Sequence, residues 1–450
     1  MSAKLTFTWE QARQIIDTVV LAHFGEPLKD IHLNLLQDVW EGLTYNQIAQ
    51  QRYLSVNYLR GDVGPKLWQK LSLAFGKSVT KSNFKTIIEE FSQKQENNES
   101  ASSHSIVNHF SLTDFPFPEG SVPPDSPLYQ ERHYESFCHQ LINQPGALLQ
   151  LRSPPLMGKT SLLKKILYQA KIQFYQTLYL DLFSLESHIL NNGDQFLQWL
   201  CLILGRELNL ENALNRYWNS NILGSNDCCT QYLENYILPS LHQPLVLAID
   251  DLDRLFVSIE ITQNFLSLLR SWHERAKSQT CWQKIRFIIA YSTSTANFFS
   301  IDSSLFNLGA LVELEDFQKI QIQNLILNHQ LQLSDEQINS LIKSFGGHPY
   351  LIRLALYKLR TTSISLESFL ENSSNYTGDY IHFLYQQALS LQQFPELIQV
   401  FKRILTAEES IFINYKFVSQ LKDLGLIKKQ GNKVIIKCRL YQDFYATYNL

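Results

Sequence analysis

The chain has 450 residues, of which 45% are apolar and 18% charged, with a formal net charge of −3. That length exceeds one ordinary domain, the balance is that of a core-forming protein, and the small net charge excludes a global basic field for nucleic acid. Six cysteines form no CxxC pair and no His/Cys cluster at metal-ligand spacing, which excludes a zinc framework and reads as free thiols in a reducing compartment.

The first residues, MSAKLTFTWEQ, show no basic region followed by an apolar one, so no secretory leader is expected. Thr8-Trp9-Glu10 opens an amphipathic run with Ile15, Ile16, Val19 and Val20 at helical spacing, and Ile31–Trp40 reads as a second helix. Leu43–Ala49, with Thr44 as N-cap, and Ser55–Arg60 then make two short helices about a tight turn, a helix-turn-helix. Seven basic residues (Arg52, Arg60, Lys66, Lys70, Lys77, Lys81, Lys85) face one acid, Asp62, between Leu43 and Lys85. That excess suits a phosphate backbone. It equally suits a helical protein-interaction module with a solvated basic face. Ser92–Pro124, polar and then proline-rich, reads as a flexible linker.

After the linker, strands and helices alternate. Ala147–Leu151 is a short apolar strand leading into Ser153-Pro154-Pro155-Leu156-Met157-Gly158-Lys159-Thr160-Ser161, and a helix follows with Leu162, Leu163, Ile166, Leu167 and Ala170 on its buried side. Strand, glycine turn, Gly-Lys-Thr and helix form the context of a phosphate-binding loop. Backbone N–H groups of Met157–Thr160 converge at a helix N-terminus, Lys159 reaches the β- and γ-phosphates, and the Thr160 hydroxyl ligates Mg2+. Ser153 stands where the motif begins with glycine, and Pro154 and Pro155 supply no N–H.

Leu245–Ile249 is a buried strand carrying Asp250 and Asp251 at its C-terminal end, where ligands of an open α/β sheet sit. Asp250 is expected to hold magnesium and Asp251 to position the attacking water. Glutamate is the usual occupant of the second position, so the shorter Asp251 predicts slow hydrolysis. Arg286–Tyr291 is a further strand ending in Ser292-Thr293-Ser294, which are placed to sense a γ-phosphate, and Ala310–Leu314 supplies one more. Arg254, Arg270 and Arg286 are candidate arginine contacts. Near the end, strands around Gly431-Asn432 make a wing, and seven basic residues (Lys416, Lys422, Lys428, Lys429, Lys433, Lys437, Arg439) face one acid, Asp423. The strongest apolar stretch, Phe196–Gly205, is too short to cross a bilayer, so a cytoplasmic protein with no membrane contact is expected.

From about Asp125 onward the chain resembles the cyanobacterial AAA-like ATPase family, within the wider STAND and archaeal-ATPase-like P-loop group. Ser126–Arg132, Gln144–Leu162, Leu245–Phe256, Leu268–Ala276, Ser344–Leu356 and Leu421–Phe444 carry the likeness. The first block resembles the helix-turn-helix domain that opens vWA-MoxR-associated proteins, through Gly42–Gln50, Tyr58–Ser72 and Lys81–Phe84. The resemblance implies a parallel sheet with one strand inserted between the P-loop strand and the Asp250 strand. It further implies a helical lid at 319–372 and a winged helix at 373–450 that packs back on a core at 125–318. The helix-turn-helix domain then occupies 1–91 and the linker 92–124. In the lid, the Gly346-Gly347-His348-Pro349 turn brings Pro349 close to the adenine of ATP or ADP, while His348 itself carries no expected role. The resemblance implies a signalling or conflict-system switch acting through a protein partner or self-assembly. The alternative is an ATP-controlled DNA-binding protein using both helix-turn-helix modules, with Arg52, Arg60, Lys66 and Lys70 as DNA contacts.

Overall fold

The computed structural model describes residues 115–295, 308–362, 364–373 and 380–447, Ile301, most positions from 28 to 88 and a few between 8 and 20. The chain divides into two units, Met1–His109 and Phe110–Leu450.

The first unit is helical among its described residues. Ala12, Ile16 and Val20 recur every fourth residue and are fully buried, the stripe expected of an amphipathic helix. Helices α1 (Asp30–Trp40), α2 (Tyr45–Gln51) and α3 (Gly64–Phe75) complete the set with its own core. Thr44 caps α2 in a reciprocal box: its Oγ1 accepts from the Gln47 N–H, and Gln47 Oε1 accepts from the Thr44 N–H at 2.9 Å. The second helix of the pair runs further than Ser55–Arg60. A π-helical segment, Leu59–Val63, carries it into α3 through Gly64, where a Cβ would meet the Leu59 carbonyl and the Tyr45 hydroxyl at 2.7 Å. Glycine is needed at that junction, and Pro65 follows in the first turn of α3, where it is tolerated.

The basic residues of this unit divide. Arg52 forms a bidentate pair with the buried Asp38, Nε to Oδ2 at 3.0 Å and Nη2 to Oδ1 at 2.9 Å. Lys81 lies over the Tyr45 ring and Lys85 over Trp40. Arg52, its side chain 33% exposed, therefore directs its charge onto Asp38. Replacing it with alanine leaves the Asp38 carboxylate buried and unpaired, a cost of about 2 kcal/mol. Chemical denaturation followed by fluorescence of the tryptophans in this unit should show that loss, and Asp38→Ala/Arg52→Ala should recover part of it.

The second unit is built on a parallel sheet of β1 (Leu148–Ser153), β2 (Gln176–Asp181), β3 (Leu245–Asp250), β4 (Ile285–Ser292) and β5 (Ala310–Glu313), in the order β2-β3-β4-β1-β5. β4 is the strand inserted between β1 and β3, as the resemblance implied. Every residue of β3 and β4 is buried, which requires the continuous apolar runs that both carry. Alternate side chains of β3 serve opposite faces. Leu245, Leu247 and Ile249 join one core and Val246 and Ala248 the other.

The second of these faces is covered by α4 (Glu135–Asn143) and α5 (Lys159–Ile172), the first by α6 (Gly193–Glu207), α7 (Ser225–Tyr232) and α8 (Ile259–Arg275). Beyond the sheet come α9 (Lys319–Asn328), α10 (Asp335–Phe345), α11 (Pro349–Thr362), α12 (Leu366–Ser373), α13 (Tyr380–Gln392), α14 (Pro395–Leu405) and α15 (Tyr415–Asp423). An antiparallel hairpin, β6 (Ile427–Gln430) and β7 (Lys433–Ile436), precedes α16 (Arg439–Thr447). Ile411 bridges to Val434 and adds a third, antiparallel edge to the hairpin. Phe345, Leu354, Leu391, Leu421 and Tyr441 all belong to one hydrophobic cluster, so the segments 319–373 and 380–447 are packed as a single body.

The flexible linker expected over Ser92–Pro124 needs correction at its end, its part up to Asp114 lying outside the described residues. Residues 115–124 are tied to the second unit. Phe115 stacks on His329, Phe117 meets Tyr357 edge-on, Lys164 Nζ donates to Ser121 Oγ at 2.8 Å, and the Val122 N–H donates to Ser161 Oγ at 2.9 Å. Prolines suggest a tether, but here they space aromatic anchors along a surface. Among the described residues no helix is long and apolar enough to cross a membrane.

Candidate functional site

The C-terminal ends of β1, β3 and β4 open on a cleft of about 1080 Å³. One wall carries Gly158, Lys159 and Thr160, the floor carries Asp250, Asp251 and Asp253, and Pro349, Tyr350 and Arg353 of α11 close the far side. The loop from Ser153 to Gly158 bends through positive φ at Leu156 (59°) and Gly158 (96°), which starts α5 with its N-terminus facing the cleft. Gly158 meets that backbone demand without strain.

Lys159 is buried, and its Nζ donates to the carbonyls of Pro154 at 3.0 Å and Ser153 at 3.3 Å. Burial lowers its pKa, and Asp253, Asp250 and Asp251 act against that. Asp250 is almost wholly buried and accepts from the Tyr179 hydroxyl at 3.0 Å and from the Asp251 N–H at 3.0 Å. Asp251 turns through φ +53°, and burial, then Asp250, Asp253 and Asp181, push its pKa up to about 6. Asp253, raised by burial, accepts from the Ser292 N–H at 2.7 Å. Three carboxylates thus surround one ammonium. The cluster carries excess negative charge; among the described residues no three His, Cys, Asp or Glu side chains form a ready-made metal cage, and Thr160 and Asp250 supply two oxygens of the kind a hard divalent cation takes.

The expected site residues are therefore brought together, with distinctions among them. Lys159, Thr160, Asp250, Asp251 and Pro349 all line the cleft. Met157 contributes backbone only; its side chain is in the core and its carbonyl accepts from Arg132 Nη2 at 3.1 Å. Ser161 holds the 115–124 segment through its hydroxyl. Ser292 and Ser294 line the cleft, whereas the Thr293 hydroxyl is turned away and donates to the Asp423 carbonyl at the end of α15. Arg254 lines the cleft beside Phe183. Arg286 does not; it is buried, donating to the carbonyls of Gln283 and Ile142. Arg270 is an exposed residue of α8 outside the cleft.

Four residues given no expected role in the site complete the surroundings. Arg132 braces the loop from behind, bonding Met157 and Glu315 carbonyls and stacking on Phe317. Arg353 faces the cleft from α11. His348, fully buried, lies beside the Pro155 carbonyl with its Nδ1 unpartnered, and burial drives its pKa well below the ordinary value, so it is neutral. Gly425 follows α15 with φ +74°, its Cα against Pro154 so closely that an added Cβ would stand 3.1 Å from that ring. Arg132, His348 and Gly425 have no local motif, since each meets a loop residue more than 20 positions away.

A profile of the AAA-like domain matches residues 117–447, and a profile of the vWA-MoxR associated protein N-terminal HTH matches residues 7–91. The first match covers most of the chain, which belongs to the AAA-like domain family. Among solved structures, the Walker-type ATPase of Pyrococcus abyssi is similar over 74% of this chain and 99% of its own, at 13% identity and TM-score 0.51. The ORC2 protein of Aeropyrum pernix, solved as ADPNP-ADP complexes, matches over 74% of this chain and 96% of its own, at 14% identity and TM-score 0.45. No curated protein sequence matches the chain.

Asp251 gives a pH-dependent expectation. Its folded pKa lies above the unfolded value near 3.8, so the folded state binds the extra proton between about pH 4 and 6 and loses stability as pH rises through that window. Asn removes the charge and tolerates positive φ. Asp251→Asn should raise the melting temperature of the nucleotide-free protein at pH 8 by about 2 °C, an advantage that fades at pH 5. An equal gain at both values would show that charge is not the cause.

Proposed function

We propose that this AAA-like protein is a regulatory switch that binds ATP or ADP, hydrolyses it slowly and converts nucleotide state into a rearrangement of its C-terminal body. The observation that carries the reading is the contact between the phosphate-binding loop and two later segments. Lys159 and the β3 carboxylates share one cleft, and the loop's prolines touch His348 of the lid and Gly425 of the C-terminal segment. A ligand that favours one loop shape biases the body resting on it, provided ATP and ADP bind the two arrangements with different affinity.

The chain's own residues supply the parts. The α5 N-terminus and Lys159 bind phosphate; Tyr129 and Gln130 on one side and Pro349 and Tyr350 on the other wall the far end of the cleft, where the base fits. Thr160 and Asp250 would hold magnesium, whose chemistry is to offset phosphate charge. Asp251 orients water, and its short side chain and buried neighbourhood suit a slow reaction. Thr293–Asp423, Lys422–Glu313 at 2.9 Å and Lys437–Asp316 at 2.7 Å fasten the C-terminal segment, read as a winged-helix latch, to the strand ends. The STAND grouping, a signalling or conflict role and a protein partner or self-assembly belong to the same reading.

Purified wild type should retain or bind adenine nucleotide with slow turnover, and Lys159→Ala should lose both, measured by nucleotide extraction and phosphate release. If the two proteins hold equal nucleotide, the reading fails. The latch has its own test. Gly425→Ala forces a Cβ into positive φ and against Pro154, a strain of about 1–3 kcal/mol placed on the contact itself. Nucleotide release, followed with a fluorescent analogue, should quicken several-fold. An unchanged release rate in a folded variant would sever the C-terminal segment from nucleotide control.

A further inference from the structure

The seven basic residues of the C-terminal segment have two destinations. Lys422 and Lys437 turn toward the sheet and pair with Glu313 and Asp316, and Arg439 lies 3.4 Å from Asp443 within α16. Lys416, Lys428, Lys429 and Lys433 have no carboxylate partner among the described residues. They surround the hairpin and the Ile411 edge that pairs with β7.

Aromatic rings stand among these four. Phe412 is 65% exposed and Tyr415 is 75% exposed. Lys433 lies over the Phe412 ring and Lys429 over Tyr415, both with 5.5 Å from Nζ to the ring centroid. Phe412 neighbours Lys433 because Ile411 pairs with Val434 in antiparallel register. Lysine covering a ring can be an end in itself. Here the exposures decide against that, since the covered rings remain mostly open. Nor is the face a latch to the sheet, because the inward lysines already serve that contact. The nearby acids, Glu408 and Glu409, are exposed and lie in the turn before Ile411.

The geometry points to a binding face for single-stranded nucleic acid on the C-terminal hairpin, with Phe412 and Tyr415 as base-stacking platforms and Lys416, Lys428, Lys429 and Lys433 as phosphate contacts. Unstacked bases offer flat faces to exposed rings, while the backbone supplies charge for the lysines between them. A duplex hides its bases and leaves the rings without a role. Acidic peptides satisfy the lysines but not the rings. This face is separate from the nucleotide cleft and does not depend on the switch reading.

Anisotropy of labelled oligothymidine and oligouridine against the full chain tests it, with a mixed-sequence duplex as the third arm. Single strands should bind more tightly than duplex, and the two single-strand arms show whether DNA or RNA is preferred. Phe412→Ala and Tyr415→Ala should each lower single-strand affinity on the order of 10-fold, with Tyr415→Phe restoring it. Lys428→Gln/Lys429→Gln/Lys433→Gln should flatten the dependence of log affinity on log salt by about 2. All these positions are exposed or half-buried, and circular dichroism reports intact folding. No binding, a preference for duplex, or alanine variants that bind like wild type would each overturn the inference.

Discussion

Lys159 sits in the interior with its ammonium group turned onto two carbonyls of its own loop and three carboxylates opposite. A charge removed from water needs compensation, and a buried carboxylate needs it equally. Neither side is balanced by the other, because one cation faces Asp250, Asp251 and Asp253. The sheet order maintains this arrangement. β4 separates β1 from β3, so the loop after β1 and the acids after β3 reach toward each other across the end of the inserted strand, which itself gives Asp253 a backbone N–H at Ser292. β3 and β4, buried along their whole length, fix the places of the acids and of Ser292 in this cluster.

Much of this was legible in the sequence. The glycine-lysine-threonine turn between a strand and an amphipathic helix, and the apolar run ending in two aspartates, are local patterns whose chemistry follows from their order along the chain. The inserted strand came from resemblance, since no spacing within Arg286–Tyr291 says which neighbours it takes. What local patterns could not show are the long-range partners. Arg132 reaches Met157 and Glu315, and His348 reaches Pro155, because folding brings distant segments together. Composition misled at Phe115–Pro124: proline and polar content marked a tether, while the stacking of Phe115 on His329 and of Phe117 on Tyr357 fixes the segment. Charge counting misled at Arg52, whose partner Asp38 lies outside the window that was counted.

The same distinction separates the basic residues near the C-terminus. Lysines at neighbouring positions alternate between inward ties and outward presentation because the hairpin and α15 have one face on the body and one in solvent. A count of positive charge gives their number but not their direction. Direction comes from Glu313 and Asp316, which lie at and just beyond β5 and draw Lys422 and Lys437 inward.

The first half of the phosphate loop acquires a purpose from these contacts. Ser153, Pro154 and Pro155 replace positions that in a glycine-rich loop would offer freedom and N–H donors. Proline cannot donate, but its carbonyl accepts and its ring packs. Pro154 accepts from Lys159 and lies against Gly425, and the Pro155 carbonyl lies beside His348. The donors needed for phosphate lie later, at the turn into α5, where the sequence keeps Gly158, Lys159 and Thr160. The loop therefore divides along its length: its second half faces the cleft, and its stiffened first half faces the segments that carry His348 and Gly425. A movement of Lys159 toward a phosphate withdraws its donors from the Ser153 and Pro154 carbonyls. One of the bonds it gives up belongs to Pro154, the residue against which Gly425 lies.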